Sequence, residues 1–221
     1  SAATLAEGWR PPPGEPQTME GGGFSVQMAS TPRAFEPELL FDALPGGGVA
    51  FADTSTWTVR VTGADGGVER VLRRPLRPEP VTERMQTAER ERRLDDLEAG
   101  RGPRLRMMTS GGGGGSVAQS AVNEMMRNRI EQMQFYPELP VLMALETSWG
   151  GRIWAQRRGA APTEPGAIDV VTADGRYVGT FPRGSTMMPS SFGPDGLAAF
   201  VETDDFEVPI VVVRRIPSIV N

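Results

Sequence analysis

Three charged residues, Asp53, Arg157 and Glu202, sit at the same place in three similar stretches of this chain. Each stands four residues beyond an apolar position (Val49, Ile153 and Ala198) that opens a short strand pattern. Carboxylates and guanidinium groups at strand ends can hold a small polar ligand. Adjacent arginines such as Arg157-Arg158 and Arg214-Arg215 can grip a carboxylate or phosphate through paired hydrogen bonds. Charged strand ends are also what solubility alone requires, and most such pairs are solvated or salt-bridged. Asp204-Asp205 offers oxygens to a hard cation, but the chain has no calcium-loop pattern and such ions take six or more ligands. It reads as an acidic turn, and Tyr177 reads as a packing residue in a strand.

The residues that are missing narrow the chemistry further. There is no His, no Cys and no Lys, so all 23 basic residues are Arg. A Ser-His-Asp or Cys-His nucleophile, a zinc site on imidazole or thiolate, a Schiff base and a lysine-bearing phosphate loop are all excluded. Catalysis would have to run on carboxylates, Tyr, Ser/Thr or Arg, and no cofactor is called for. A net charge of −5 without a clustered basic face argues against nucleic acid as a partner. The longest apolar runs, 141–145 and 197–201, are too short to span a bilayer. The 27 Gly and 20 Pro favour many turns and short strands.

Those residues need elements to position them, and the chain supplies strands in groups. Residues 1–23 are Pro- and Gly-rich and read as an extended segment, with Trp9 as an anchor on the domain's own surface. Residues 24–74 hold a half-buried strand at 24–28 and then a first four-strand unit at 38–44, 49–53, 57–62 and 68–73. Alternation is clean where Trp57, Val59 and Val61 interleave with Thr58, Arg60 and Thr62. Residues 75–139 read as a helical insertion. A mostly solvated helix at 82–99 is capped by Thr82, a Gly linker follows at 111–115, and a second helix runs from Ser116 to about Gln134. Val122, Met125, Met126, Ile130 and Met133 fall on one face of that second helix. This stripe is a candidate partner-binding surface, against the plainer reading that it packs on the protein itself.

Residues 140–182 hold four strands at 141–146, 152–157, 167–172 and 176–181. Residues 183–221 hold a partial unit with a weak strand near 186–188, then 196–202 and 208–214. Its Val211-Val212-Val213 run suits a strand buried on both faces.

Setting Gly47, Gly151 and Gly196 in register aligns the second strands of the three groups. It brings Asp53, Arg157 and Glu202 to one position. Gly151 and Gly196 are 45 residues apart and Gly47 and Gly151 are 104 apart, an excess of about 59 residues that the helical insertion accounts for. Two groups also carry Asp-Gly between their third and fourth strands, at Asp65-Gly66 and Asp174-Gly175.

The runs 150–158, 168–180 and 192–200 resemble the C-terminal half of bacterial six-bladed β-propeller proteins, and the likeness covers about residues 24–217. The resemblance implies a mainly β fold, a partial β-propeller of about three four-stranded antiparallel blades with a two-helix insertion between blades. It implies further blades N-terminal to this chain, so that the chain is a fragment with open sheet edges. Those edges would take the missing blades or self-associate. It also implies a ligand face where the second strands end, with Asp53, Arg157, Arg158 and Glu202 under a helical lid. A setting in the bacterial periplasm or cell envelope goes with it. The function expected is a non-catalytic binding or scaffold module for an unknown protein or small polar ligand. The alternative is a metal-dependent propeller hydrolase, lactonase or lyase acting through carboxylates, which the absence of His weakens.

Overall fold

The computed structural model describes residues 17–21, 24–28, 33–101 and 115–221. These residues are mainly β, with antiparallel strand pairing in every sheet and two helices. They fall into two compact units: residues 37–79 and 138–221, and the described parts of 12–36 and 80–137. No helix among them is long and apolar enough to cross a membrane.

In the smaller unit, β1 (Gln17–Gly21) pairs with β2 (Phe24–Met28), Gln17 opposite Met28 and Gly21 opposite Phe24. β2 has the bounds its alternation predicts. β1 lies in the stretch read as an extended segment; it forms because Gln17-Thr18-Met19-Glu20 contains no proline to remove a ladder donor. Helix α1 (Glu83–Glu98) starts where predicted, with the Thr82 Oγ1 accepting from the Met85 N–H at 3.3 Å. Its one buried residue is Glu89. Burial pushes that carboxyl up, but hydrogen bonds from Arg92 and Arg93 outweigh it and hold Glu89 below the usual carboxylate range.

Helix α2 (Gly115–Glu131) packs on α1, and Arg127 joins Glu98 across the pair at 2.9 Å. α2 stops short of the predicted Gln134 because the next turn gives its backbone to another partner. The Ala34 N–H donates to the Gln134 carbonyl and the Tyr136 N–H to the Ala34 carbonyl. Met133 is buried here, while Met125, Met126 and Ile130 are half-buried. The Arg90 guanidinium donates to the Met133 carbonyl and lies 4.8 Å from the Phe135 ring centroid. The linker at 111–114, Trp9 and the side chain of Val122 lie outside the described residues.

The larger unit contains three antiparallel sheets, each running in chain order. The first is β3 (Leu39–Ala43), β4 (Val49–Asp53), β5 (Thr58–Thr62) and β6 (Val68–Arg73). The second is β7 (Leu142–Thr147), β8 (Arg152–Arg158), β9 (Pro165–Thr172) and β10 (Tyr177–Phe181). The third is β11 (Ser191–Phe192), β12 (Leu197–Thr203) and β13 (Pro209–Arg215). Gly47, Gly151 and Gly196, each shortly before the second strand of its sheet, all have positive φ (86°, 76° and 73°), a conformation in which a side chain is strained.

The middle sheet is covered on both sides. Ile153, Ala155 and Val171 pack with Ala50, Ala52, Trp57 and Val59 of the first sheet, and Trp154, Ile168 and Val170 pack with Phe192, Ala198 and Phe200 of the third. Each large aliphatic or aromatic side chain fully buried there contributes roughly 1.5–3 kcal/mol before entropy is counted. Polar links also join the first sheet to the second. The Thr54 carbonyl accepts from the Val141 N–H at 2.7 Å, and Asp42 Oδ2 accepts from the Thr147 N–H at 2.6 Å and Oγ1 at 2.9 Å.

Two expectations need correction in the third sheet. Its first strand lies at Ser191–Phe192 and not near 186–188, because Phe192 is the residue that reaches the core, opposite Ala198. β13 is not buried on both faces. Pairing puts Val212 opposite Phe200 on the core side, while Val211 and Val213 point the other way and are 69% and 60% exposed.

Candidate functional site

Asp53, Arg157 and Glu202 lie at or next to the ends of β4, β8 and β12, and each is occupied within its own sheet. Asp53 pairs with Arg60 at 3.6 Å and accepts from the Ser55 N–H. Glu202 pairs with Arg214 at 2.6 Å, and Arg214 in turn lies over the Phe200 ring. Arg157 Nε stands 3.3 Å from Asp169 Oδ2. Among the described residues no ion pair or hydrogen bond joins the three to one another, so they do not form a single mixed-charge ring of contacts.

Arg157 and Arg158 do come together, on the wall of a cavity of about 200 Å³ at the end of the second sheet. Its other polar walls are Arg77 and Glu79, from the stretch that follows β6. The backbone there is fixed by the Leu139 N–H donating to the Glu79 carbonyl at 2.7 Å. Arg158 Nε donates to the Pro140 carbonyl at 2.8 Å, which sets the direction of its guanidinium. Burial pulls the Arg158 guanidinium below its ordinary value and Glu38 opposes that pull. Three arginines and one carboxylate in the lining make this cavity suited to an anion, with Arg157 also facing Asp169. Arg77 had no signal in the sequence: it sits among prolines, far from β8 in the chain.

Beside the cavity lies a buried ion cluster. Asp169 is wholly inaccessible and is held by Arg74 from the first sheet, by Arg157, and by the Thr180 hydroxyl. A carboxylate inside the apolar run Ile168-Asp169-Val170-Val171 is the signal that could have found it. Its role is structural, because no face of it meets solvent.

A carboxyl pair stands on the first strands. Glu146 of β7 lies beside Asp42 of β3, and burial first, then the Asp42 charge, pushes the Glu146 carboxyl up to about 7. Both residues precede an aligned glycine by the same interval, Gly47 for Asp42 and Gly151 for Glu146, so the register could have found them. The raised value carries a stability consequence. The folded chain keeps a proton that the unfolded chain releases above pH 4.5, so stability falls between pH 4.5 and about 7 and is level beyond. Glu146→Gln removes that fall, and the variant should be more stable at pH 8 by about 1 kcal/mol once solvent screening is allowed for. Urea denaturation of both proteins at pH 4.5 and pH 8 checks it.

Asp204 is engaged locally, its carboxylate accepting from the Phe206 and Val208 N–H groups at 2.9 Å each. Tyr177 is half-exposed, its hydroxyl 2.6 Å from that of Thr180 and its ring under the Arg74 guanidinium. Among the described residues no three acidic side chains converge as a metal site would require. No family model matches the sequence, no curated protein matches it, and no solved structure matches the chain.

Proposed function

We propose that this chain is a non-catalytic binding module of the β-propeller type, in which three successive blades present a small anion site at the end of the second sheet. The observation that carries the binding reading is the cavity whose lining includes Arg77, Arg157 and Arg158 against one lining carboxylate, Glu79. The repeat reading is supported by two features of the sheets. The glycine before each second strand has the same left-handed backbone, and in the first and second sheets the hairpin after the third strand closes the same way, Gly66 to Gly63 and Gly175 to Thr172. The ligand class is a carboxylate or phosphate small enough for about 200 Å³.

Calorimetric titration with inorganic phosphate and with a short dicarboxylate tests this reading. Saturable binding is expected, weakened about tenfold or more by Arg158→Met and by Arg77→Gln, the loss of one charge-assisted contact each. Absence of heat with both anions, or equal affinity in the variants, defeats it.

One observation favours a second reading, a carboxylate-based hydrolase, lactonase or lyase. Glu146 beside Asp42 titrates close to neutrality, the range in which a general acid or base works best. Turnover of an ester or lactone that disappears in both Glu146→Gln and Asp42→Asn would replace the first reading with this one.

A further inference from the structure

Every sheet of the larger unit has a back face, turned to the sheet before it in the chain, and a forward face, turned to the sheet after it. In β8, Ile153 and Ala155 point back while Trp154 points forward; in β12, Ala198 and Phe200 point back; in β4, Ala50 and Ala52 point forward. The same side of the strand pattern is used each time. Among the described residues, two faces are left over. One is the back face of the first sheet, where Phe41 is 65% exposed and Val71, opposite Arg60, is exposed as well, while Phe51, opposite Phe41 in the ladder, is itself buried. The other is the forward face of the third sheet, where Val201 lies opposite Val211 and Ala199 opposite Val213, and Val201 is 48% exposed.

The unit buries a forward face against a back face twice, between the first and second sheets and between the second and third. The two open faces are the unmatched halves of that one contact. A chain cannot use both on itself without further sheets, but a second copy carries the missing half of each. Apolar sheet faces of this extent, rimmed by Arg73 and Arg215, mark interaction sites in soluble proteins.

We propose that a second copy of this chain covers them, the forward face of one third sheet packing on the back face of the other chain's first sheet. The contact is head to tail, so it joins unlike surfaces, and it is made twice between two copies. Six sheets then follow one another in a closed ring without an open apolar face. This assembly rests on the repeat reading above and is independent of which anion binds.

Light scattering and native mass measurement on the full chain at about 50 µM test it, since assembly depends on concentration. The wild type is expected at twice the 23.8 kDa chain mass. Phe41→Arg spoils the back face and Val211→Glu the forward face, and each variant alone is expected at the single-chain mass with unchanged far-UV circular dichroism. Should either fail to fold, Val71→Arg and Val213→Glu replace them on the same faces. An equimolar mixture of the two variants regains the double mass, because one of its two contacts is wholly wild type and the other sets Arg against Glu. A pairing of like surfaces, such as β13 edge to β13 edge, would leave Phe41→Arg assembled, and that result overturns the proposal. So do a mixture that stays single, open-ended polymers of the wild type, and a single-chain wild type. A single-chain wild type that still binds phosphate through Arg77 and Arg158 defeats the assembly alone and leaves the anion site standing.

Discussion

Asp169→Ala is expected to lower the unfolding free energy by about 3 kcal/mol in urea denaturation. Removing one partner of a buried ion cluster leaves the other charges without compensation, at a typical cost of about 3–5 kcal/mol. The lower end applies because the side chains of Arg74 and Arg157 keep 30% and 27% of their exposure and recover some hydration. The loss falls on the join between the first and second sheets, since Arg74 follows β6 while Asp169 belongs to β9. Arg157→Met should cost less than Asp169→Ala, because Arg74 and Thr180 still hold the carboxylate. Equal losses in the two variants would mean that Arg157 carries the cluster.

Trp154→Ala carries the second large effect, about 3–5 kcal/mol, by emptying a fully buried indole site. The ring stacks on Phe181 at 5.1 Å and meets Phe192 at 5.4 Å, so one substitution removes contacts within the second sheet and between the second and third. Its Nε1 also donates to the Val220 carbonyl at 2.8 Å, which ties the C-terminal residues to β8. Trp154→Phe separates the two contributions. It keeps most of the packing and leaves the Val220 carbonyl unpaired, for a loss nearer 1–2 kcal/mol. Limited proteolysis should release the last residues faster in both variants, and unchanged cleavage there would show that the indole N–H does not hold the tail.

The first two sheets were legible almost strand by strand. Alternation at 57–62, glycine pairs before second strands and Asp-Gly hairpins are local signals, and β4 and β6 begin and end where those signals place them. What failed depended on neighbours. The run Val211-Val212-Val213 has the composition of a doubly buried strand, yet burial is decided by what lies across each face, and only the Val212 side meets the core. β1 carries no hydrophobic alternation, so only its ladder with β2 defines it.

The site divides in the same way. Arg157 and Arg158 were chosen for their place at a strand end and do line a cavity, while Asp53 and Glu202, chosen by the same register, are consumed by Arg60 and Arg214 on adjacent strands. Register fixes a residue's position along its strand and says nothing of which cross-strand partner it faces. Arg77 and Arg74 reach their places through a proline-rich connection whose path no local pattern encodes. The Met125, Met126, Ile130 and Met133 stripe shows a related limit: helical spacing identified one face, but only Met133 is fully buried.

The central claim is that three sheets stack face to face and that the middle one is covered on both sides. Native-state hydrogen exchange tests this most directly, because amides that open only with global unfolding mark the most enclosed elements. The account predicts that the amides of β8 and β9 from Ile153 to Gln156 and from Ile168 to Val171 exchange slowest in the chain, with those of the edge strands β6 and β13 far faster. Exchange from β8 and β9 as fast as from β13 would contradict it.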